Sequence, residues 1–281
     1  MRCDWNAFVN ILPLWMRETV DKQGRETLLE LRLRLGLQPE LVTMKGSIWL
    51  NRTIKKDDLI YCVNAASRYS PWAAETMSRG YITALGGHRL GICGTATMEK
   101  SNMKGISNPT SICLRVARDF PGIAKGFSSV AGSILIIGNP GSGKTTLLRD
   151  LIRQKGNAGS GCICVVDEKG ELFPSSGDQF NFNIGKRTDV ITGFSKKQGI
   201  ELVLRNMCPT VIAVDEITAE EDCQALVHAG WCGVNLFATA HARNLDELML
   251  RPVYHPLIKK KLFDTVVILQ QDKSWRLERI I

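Results

Sequence analysis

Residues 134–145 read ILIIGNPGSGKT and form the most informative segment of the chain. An apolar run comes first, a glycine-rich loop follows it, and a helix is expected to begin at Lys144. Residues 138–145 match the pattern G-x-x-x-x-G-K-[ST] in full, between a strand and a helix as the pattern requires. Glycines let consecutive backbone N–H groups turn inward around an anion, and the helix N-terminus adds partial positive charge. The stretch therefore predicts a phosphate-binding loop.

The side chains of this loop predict a nucleotide with Mg²⁺ as the ligand. The Lys144 ammonium can reach the β- and γ-phosphates, and the Thr145 hydroxyl can be placed on Mg²⁺. The residues expected to bind the nucleotide are Gly138, Asn139, Pro140, Gly141, Ser142, Gly143, Lys144, Thr145 and Thr146. The pattern specifies phosphates, so it leaves the base of the nucleotide open.

Short apolar runs alternate with helical or irregular segments through the rest of the chain. After 134–137 the runs are 162–166, 211–214, 236–239 and 266–269. Buried strands that alternate with helices are typical of a parallel sheet covered on both faces. The turn around 271–274 predicts a terminal hairpin. Residues 127–281 are therefore expected to form an α/β P-loop domain.

Acidic residues follow two of these strands. Residues 210–217 read TVIAVDEI, which fits a Walker B element in which Asp215 holds Mg²⁺ through its water shell and Glu216 polarises the attacking water. Residues 165–171 read VVDEKGE and bring Glu168 and Glu171 to the same sheet edge, where α/β proteins bind their ligands. Glu216, Glu168 and Glu171 all remain candidates for the general base.

One histidine and three arginines complete the catalytic candidates. Residues 237–242 read FATAHA and end a third strand in His241, whose neutral ring could donate to the γ-phosphate. Arg89, Arg115 and Arg118 precede the loop and could act from a neighbouring subunit on the charge that develops during phosphoryl transfer. The nine cysteines and four histidines show no metal-ligand spacing, so no zinc site is predicted.

Composition and charge exclude several classes of protein. The 281 residues are 44% hydrophobic and 23% charged, which is typical of a globular chain and not of a disordered or collagen-like one. No apolar run approaches roughly 18 residues and no secretion signal is apparent, so we expect a cytoplasmic protein without its own transmembrane segment.

The first 126 residues differ from the remainder in pattern and charge. They mix period-two strands with short helices, which predicts a smaller α+β domain (1–126) before the α/β domain (127–281). They also carry 18 basic and 11 acidic side chains, which accounts for most of the net charge of +8. This excess indicates a surface for an anionic or acidic partner, with a simple solvated basic face as the alternative.

The order of these motifs resembles that of a known superfamily. The loop, the acidic stretch 165–171, the Asp215–Glu216 pair and the segment ATAHA ending at Ala242 are similar to Walker A, the Asp box, Walker B and the His box of the ATPases of pilus and type II/IV secretion systems. Segments 31–34 (LRLR), 86–94 (GGHRLGICG), 187–189 (RTD) and 207–209 (MCP) resemble the stage III sporulation protein AA family. The pilus ATPases commonly have Gly before the Walker B Glu, where this chain has Asp215.

The resemblance implies more than the motifs alone. It implies a cytosolic RecA-like ATPase core with ATP and Mg²⁺ as cofactors, a homo-hexameric ring, and membrane-embedded partners in a transenvelope complex between mother cell and forespore. Glu168 or Glu171 would fall in the Asp box, and no direct nucleic-acid partner is expected. Two alternatives stay open: a RecA-like ATPase associated with nucleic acid, and a nucleotide-dependent assembly scaffold with little turnover.

Overall fold

The computed structural model describes residues 1–68, 80–99, 102–127, 129–159, 161–176 and 179–279. These residues form two compact units. The first unit comprises Met1–Asp119 and Pro174–Asn181, and the second comprises Phe120–Phe173 and Phe182–Ile281.

The described secondary structure runs in chain order as follows. Up to Asp119 the elements are α1 (Trp5–Asn10), α2 (Leu14–Thr27), β1 (Leu28–Arg34), β2 (Glu40–Thr43), β3 (Gly46–Trp49), α3 (Lys56–Ser67), β4 (Tyr81–Thr83), β5 (Arg89–Glu99) and β6 (Asn102–Arg115), with a 3₁₀ turn at Leu85–Gly87. Beyond it they are β7 (Ile134–Gly138), α4 (Lys144–Ala158), β8 (Ile163–Asp167), β9 (Ser175–Ser176), β10 (Gln179–Phe180), β11 (Thr188–Thr192), α5 (Lys196–Asn206), β12 (Val211–Val214), α6 (Glu220–Trp231), β13 (Asn235–His241), α7 (Leu245–Leu250), α8 (His255–Lys259), β14 (Thr265–Leu269) and β15 (Trp275–Arg279), with a 3₁₀ turn at Pro252–Tyr254.

The first unit is built on an antiparallel sheet in the order β3-β2-β1-β6-β5-β4. In β1, Leu31 and Leu33 are buried while Arg32 and Arg34 are partly exposed, as the period-two pattern predicts. Strands β2 and β3 form a hairpin across Gly46, and the φ of 125° at this residue explains why glycine occupies it. The unit is therefore α+β, as expected.

The second unit is built on a seven-stranded sheet in the order β11-β8-β12-β13-β7-β14-β15. All pairs are parallel except β14 with β15, which forms the expected terminal hairpin. Strands β7, β8 and β14 are buried at every position, because helices cover the parallel sheet on both of its faces. The edge strand β11 was not predicted from the sequence.

The division between the units differs from the predicted boundary after Gly126. The N-terminal segment of the first unit ends at Asp119, and the residues that follow it directly belong to the second unit. The Asp150 carboxylate of α4 accepts hydrogen bonds from the N–H groups of Gly122 at 3.0 Å and Ala124 at 2.8 Å. None of the helices in the described ranges combines the length and the apolar character needed to span a bilayer.

Candidate nucleotide-binding site

The loop between β7 and α4 has the backbone that its sequence predicts. Gly141 and Gly143 have φ values of 73° and 103°, in the left-handed region that favours glycine. Gly138 has no room for a side chain, since an added Cβ would lie 2.7 Å from both Leu269 O and Ser142 Oγ. Ser142 Oγ is buried and has no hydrogen-bond partner among the described residues. The remaining predicted binding residues, Asn139, Pro140 and Thr146, lie in the same loop and in the first turn of α4.

Lys144 is buried and bridges the loop to β13. Its Nζ donates to Gly138 O, Asn139 O and His241 Nδ1, each at 3.0 Å. Burial lowers the pKa of this ammonium, while the nearby carboxylates of Asp215 and Glu216 act in the opposite direction. The three hydrogen-bond acceptors of the ammonium are neutral, so its charge remains available to bind an anion.

Thr145 and Asp215 are joined directly, and Thr239 of β13 extends the chain of hydrogen bonds. Thr145 Oγ1 donates to Asp215 Oδ2 at 2.7 Å, and Thr239 Oγ1 donates to Asp215 Oδ1 at 2.6 Å. The Thr239 hydroxyl also accepts from the Glu216 N–H at 2.8 Å, so it fixes both acids at the end of β12. Thr239 is fully buried and was not predicted as a site residue, because a threonine in an apolar strand is common in any sheet.

Glu216 has a left-handed backbone with a φ of 55°, which is uncommon for a residue with a side chain. Its Oε1 lies 3.0 Å from His241 Nε2, and its Oε2 accepts from Lys169 Nζ at 2.9 Å. Burial opposes ionisation of Glu216, but the hydrogen bonds from Lys169 and His241 outweigh it and lower the pKa. Glu216 is therefore ionised at neutral pH, with a donor at each of its oxygens.

The contacts of His241 fix its tautomer. Because an ammonium can only donate, Nδ1 of His241 accepts from Lys144 and the ring proton resides on Nε2. That proton is donated to Glu216. His241 thus connects the lysine of the loop to the glutamate after β12 through a single neutral ring.

The acidic stretch 165–171 comprises the end of β8 and the loop that follows it. Asp167 is 2% exposed, and its oxygens accept from the N–H groups of Glu171 and Phe173 at 2.9 Å each. Burial raises the pKa of Asp167 to about 6, although these hydrogen bonds counteract it. Glu168 Oε2 accepts from the buried Lys196 Nζ at 2.7 Å. Glu168 is therefore held by an ion pair, and Asp167 shapes the loop that carries Glu171.

The three candidate arginines all lie in the first unit. The Arg89 guanidinium is 4.0 Å from the centre of the Tyr81 ring, and Arg115 lies 3.5 Å from Glu30 with 64% of its side chain exposed. Arg118 donates to the carbonyl oxygens of Arg25 and Leu28. Action of these arginines across a subunit boundary stays a prediction.

Two cysteines and one aspartate come together at the sheet edge, which sequence spacing did not indicate. Sγ of Cys162 lies 3.9 Å from Sγ of Cys164 and donates to Asp189 Oδ2 at 2.9 Å. Burial raises the pKa of both thiols, that of Cys164 to about 12, which disfavours the thiolate form that a metal requires. A thiol–carboxylate hydrogen bond accounts for the arrangement.

The residues at the ends of β7, β12 and β13 fit a nucleotide with Mg²⁺. The loop offers a buried ammonium, glycines with left-handed backbone and, at Ser142, a buried hydroxyl that no described residue bonds. Thr145 and Asp215 offer a hydroxyl and a carboxylate side by side, and Mg²⁺ prefers such oxygen ligands.

Comparison with known proteins agrees with this reading of the fold. The ATPase DotB of Legionella pneumophila shares 17% sequence identity, with a TM-score of 0.57 over 95% of this chain and 80% of DotB. The pilus retraction motor PilT, solved with ADP, shares 15% identity, with a TM-score of 0.57 over 89% of this chain and 76% of PilT. The chain thus shares the fold of these two proteins, which is α/β with a RecA-like P-loop core, as predicted.

The sequence comparison narrows the class to one family. The family described as "Sporulation stage III, protein AA" matches residues 6–278. The stage III sporulation protein AA of Bacillus subtilis (strain 168) is 31% identical over 282 aligned positions, which cover 96% of this chain and 92% of that protein. The chain belongs to the sporulation stage III protein AA family, as the motifs indicated.

Proposed function

We propose that this protein binds ATP with Mg²⁺ and hydrolyses it at the site formed by β7, β12 and β13. The observation that carries the proposal is the continuous link from Lys144 through His241 to Glu216. The link joins a phosphate-binding cation to a carboxylate that is ionised at neutral pH. An ATPase needs a cation on the β- and γ-phosphates and a residue that orients the attacking water.

The loop supplies the phosphate-binding part of the reaction. Backbone N–H groups of residues 141–145 and the Lys144 ammonium would bind the β- and γ-phosphates. Because Lys144 is buried, its charge acts on the phosphates with little screening by solvent.

Thr145 and Asp215 would hold Mg²⁺, Thr145 through its hydroxyl and Asp215 through the water shell of the ion. When bound, the ion would neutralise charge on the β- and γ-phosphate oxygens. Thr239 keeps Asp215 in place through the hydrogen bond to Oδ1. This support orients the carboxylate before the nucleotide arrives.

Glu216 is the residue that we assign to the attacking water. It is connected to Lys144 by His241, whereas Glu168 is paired with Lys196. Each oxygen of Glu216 accepts one hydrogen bond and keeps a second acceptor site, with which it can accept from water. Glu171 and Glu168 remain the alternative bases.

The hydrogen bonds of Glu216 with Lys169 and His241 also support a second candidate function. An ATP-dependent assembly scaffold with little turnover would keep this carboxylate bonded to Lys169 and His241 throughout its cycle. The two functions differ in turnover and not in nucleotide binding.

Membership of this family supports a further proposal, on the role of the protein in the cell. We propose that the protein acts in the cytoplasm as a homo-hexamer that energises a transenvelope complex during endospore formation, recruited to the membrane by embedded partners. Arg89, Arg115 or Arg118 of one subunit would complete the site of the next. Binding of nucleic acid is not part of this proposal, and stimulation of hydrolysis by DNA would contradict it.

The test is ATP hydrolysis measured against protein concentration for the wild type and Lys144→Ala, with the mass of the assembly measured on the same samples. We expect turnover that rises with assembly and is lost in Lys144→Ala. Glu216→Gln separates the two functions: it should abolish the turnover of an ATPase, whereas it should leave the assembly of a scaffold unaltered. Binding of ATP without turnover at any concentration of wild type would favour the scaffold, and absence of ATP binding would refute both.

A further inference from the structure

The turn between β14 and β15 contacts the phosphate-binding loop. Strand β14 lies on one side of β7, and β13, which carries His241, lies on the other. Strand β14 pairs in parallel with β7, and Leu269 lies opposite Gly138 in the register. The chain that follows Leu269 therefore leaves the sheet beside the start of the loop. Lys273, in this turn, donates from Nζ to Gly141 O at 2.9 Å and to Ser142 O at 3.0 Å.

The backbone of the turn is fixed in the conformation that directs Lys273 to the loop. Gln270 N–H donates to Ser274 O at 2.9 Å, and Asp272 Oδ1 accepts from the N–H of Ser274 at 2.9 Å and from its hydroxyl at 2.6 Å. Lys273 itself has a φ of 71°, in a region that costs a side-chain-bearing residue free energy. Residues held in such a conformation cluster at functional sites.

Two ammonium groups thus bind four carbonyl oxygens of the loop, two each. Lys144 binds those of Gly138 and Asn139, and Lys273 binds those of Gly141 and Ser142. The C=O and N–H of a trans peptide point in opposite directions, so the N–H of Gly143 is directed away from Lys273. A cation on the carbonyl polarises the peptide and strengthens its N–H as a donor.

We propose that Lys273 is a positioning residue for the phosphate-binding loop. It holds and polarises the peptides of Gly141 and Ser142, and it raises the affinity of the loop for polyphosphate without contacting the phosphates. The inference rests on the proposed binding of nucleotide and adds to it a second lysine that the loop pattern does not contain.

The test replaces Lys273 by Asn in the full chain. Asn tolerates a left-handed backbone and is too short to reach the loop, so the turn is retained while the ammonium is lost. The matched control is Lys261→Asn, at an exposed lysine with a φ of 48°. Affinity for ADP is measured by titration calorimetry and affinity for inorganic triphosphate by competition, together with the thermal midpoint of the nucleotide-free protein.

We expect Lys273→Asn to weaken binding of ADP and of triphosphate by the same factor, about three- to tenfold, with an unchanged thermal midpoint. Lys261→Asn should change neither affinity, and Lys273→Arg should restore binding because a guanidinium also donates to carbonyl oxygens. If Lys273→Asn does not fold, Lys273→Gly makes the same comparison with the strain removed.

Three results would overturn the inference. Wild-type affinity in Lys273→Asn would show that the loop does not depend on this ammonium. Weaker binding of ADP with unchanged binding of triphosphate would place the effect on the nucleoside and not on the loop. Failure of the wild type to bind ADP, with the same behaviour in Lys144→Ala, would remove the proposed function and this inference with it.

Discussion

The ammonium of Lys144 donates a hydrogen bond to the imidazole of His241 over 3.0 Å. The two residues lie 97 positions apart in sequence and meet because β7 and β13 are parallel neighbours, with His241 opposite Gly138. The far nitrogen of the same ring contacts Glu216. A displacement of Lys144 by bound phosphate would therefore be transmitted to Glu216 through one side chain.

Replacement of His241 by Ala should uncouple the two ends of this link. Lys144 keeps its two loop carbonyls, so ATP affinity should change little, whereas turnover should fall roughly 10- to 100-fold because Glu216 loses its orientation. Single-turnover hydrolysis and ATP titration measure the two effects separately. His228→Ala, at an exposed histidine of α6, is the control and should behave as wild type. Loss of affinity with full turnover in His241→Ala would contradict the prediction.

Replacement of Thr239 by Val should destabilise the protein. Val keeps the shape of the side chain but removes the hydroxyl, so the partly buried Asp215 Oδ1 and Glu216 N–H both lose their hydrogen bond to it, while Asp215 Oδ2 keeps the bond from Thr145. We expect a loss of about 1 to 3 kcal/mol in the free energy of unfolding, measured with urea. Thr239→Ser keeps the hydroxyl and should lose clearly less; equal losses in the two variants would assign the effect to packing.

Asp167 predicts a dependence of stability on pH. Its pKa is raised to about 6 in the folded protein, so between about pH 4 and 6 the folded state binds more protons than the unfolded one. This contribution to stability is present at low pH and is lost as pH rises through 6. Asp167→Asn lacks that titration.

The sign of this pH dependence is checked by urea unfolding of wild type and Asp167→Asn at about pH 4.5 and about pH 7. These two values lie below and above the pKa of Asp167, which is about 6. The stability of Asp167→Asn relative to wild type should improve by roughly 1 to 3 kcal/mol on going from the lower to the higher pH. A difference that is constant with pH, or one of opposite sign, would mean that Asp167 is ionised throughout the range.

Lys169 predicts a shift in the acid limb of the pH–rate profile. Its hydrogen bond lowers the pKa of Glu216, so Lys169→Met should raise that pKa and reduce turnover at acid pH. The shift should stay below about one pH unit, because the pair is partly exposed to solvent. The profile is measured from turnover under saturating ATP. Lys197→Met is the control, at an exposed lysine of α5, and an unshifted limb in Lys169→Met would exclude Glu216 as the titrating base.

The parts of the site that sequence predicted are those whose chemistry is local. Residues 138–145 carry the turn, the cation and the helix start within one stretch, and Asp215 and Glu216 follow a strand that apolar residues identify. Because the carboxyl ends of parallel strands lie at the same edge of a sheet, these local patterns suffice to place the residues together.

The parts that sequence did not predict depend on pairing between distant strands. Thr239 is an ordinary strand residue until β13 pairs with β12, and Lys273 lies 132 positions from Gly141 until β14 pairs with β7. Lys196 becomes a partner of Glu168 only when α5 packs beside β8. No local pattern of residues encodes such contacts.

The segment Pro174–Asn181 leaves the second unit after Phe173 and is part of the first. Within the first unit its Ser176 hydroxyl donates to Ala84 O at 3.2 Å, and an added Cβ at Gly87 would lie 2.7 Å from Pro174 Cγ. During synthesis on the ribosome the first unit therefore stays incomplete until residue 181 has been made, by which time β7, α4 and β8 of the second unit already exist. A gene fragment cut after Asp119 would therefore encode a first unit that lacks one of its two segments.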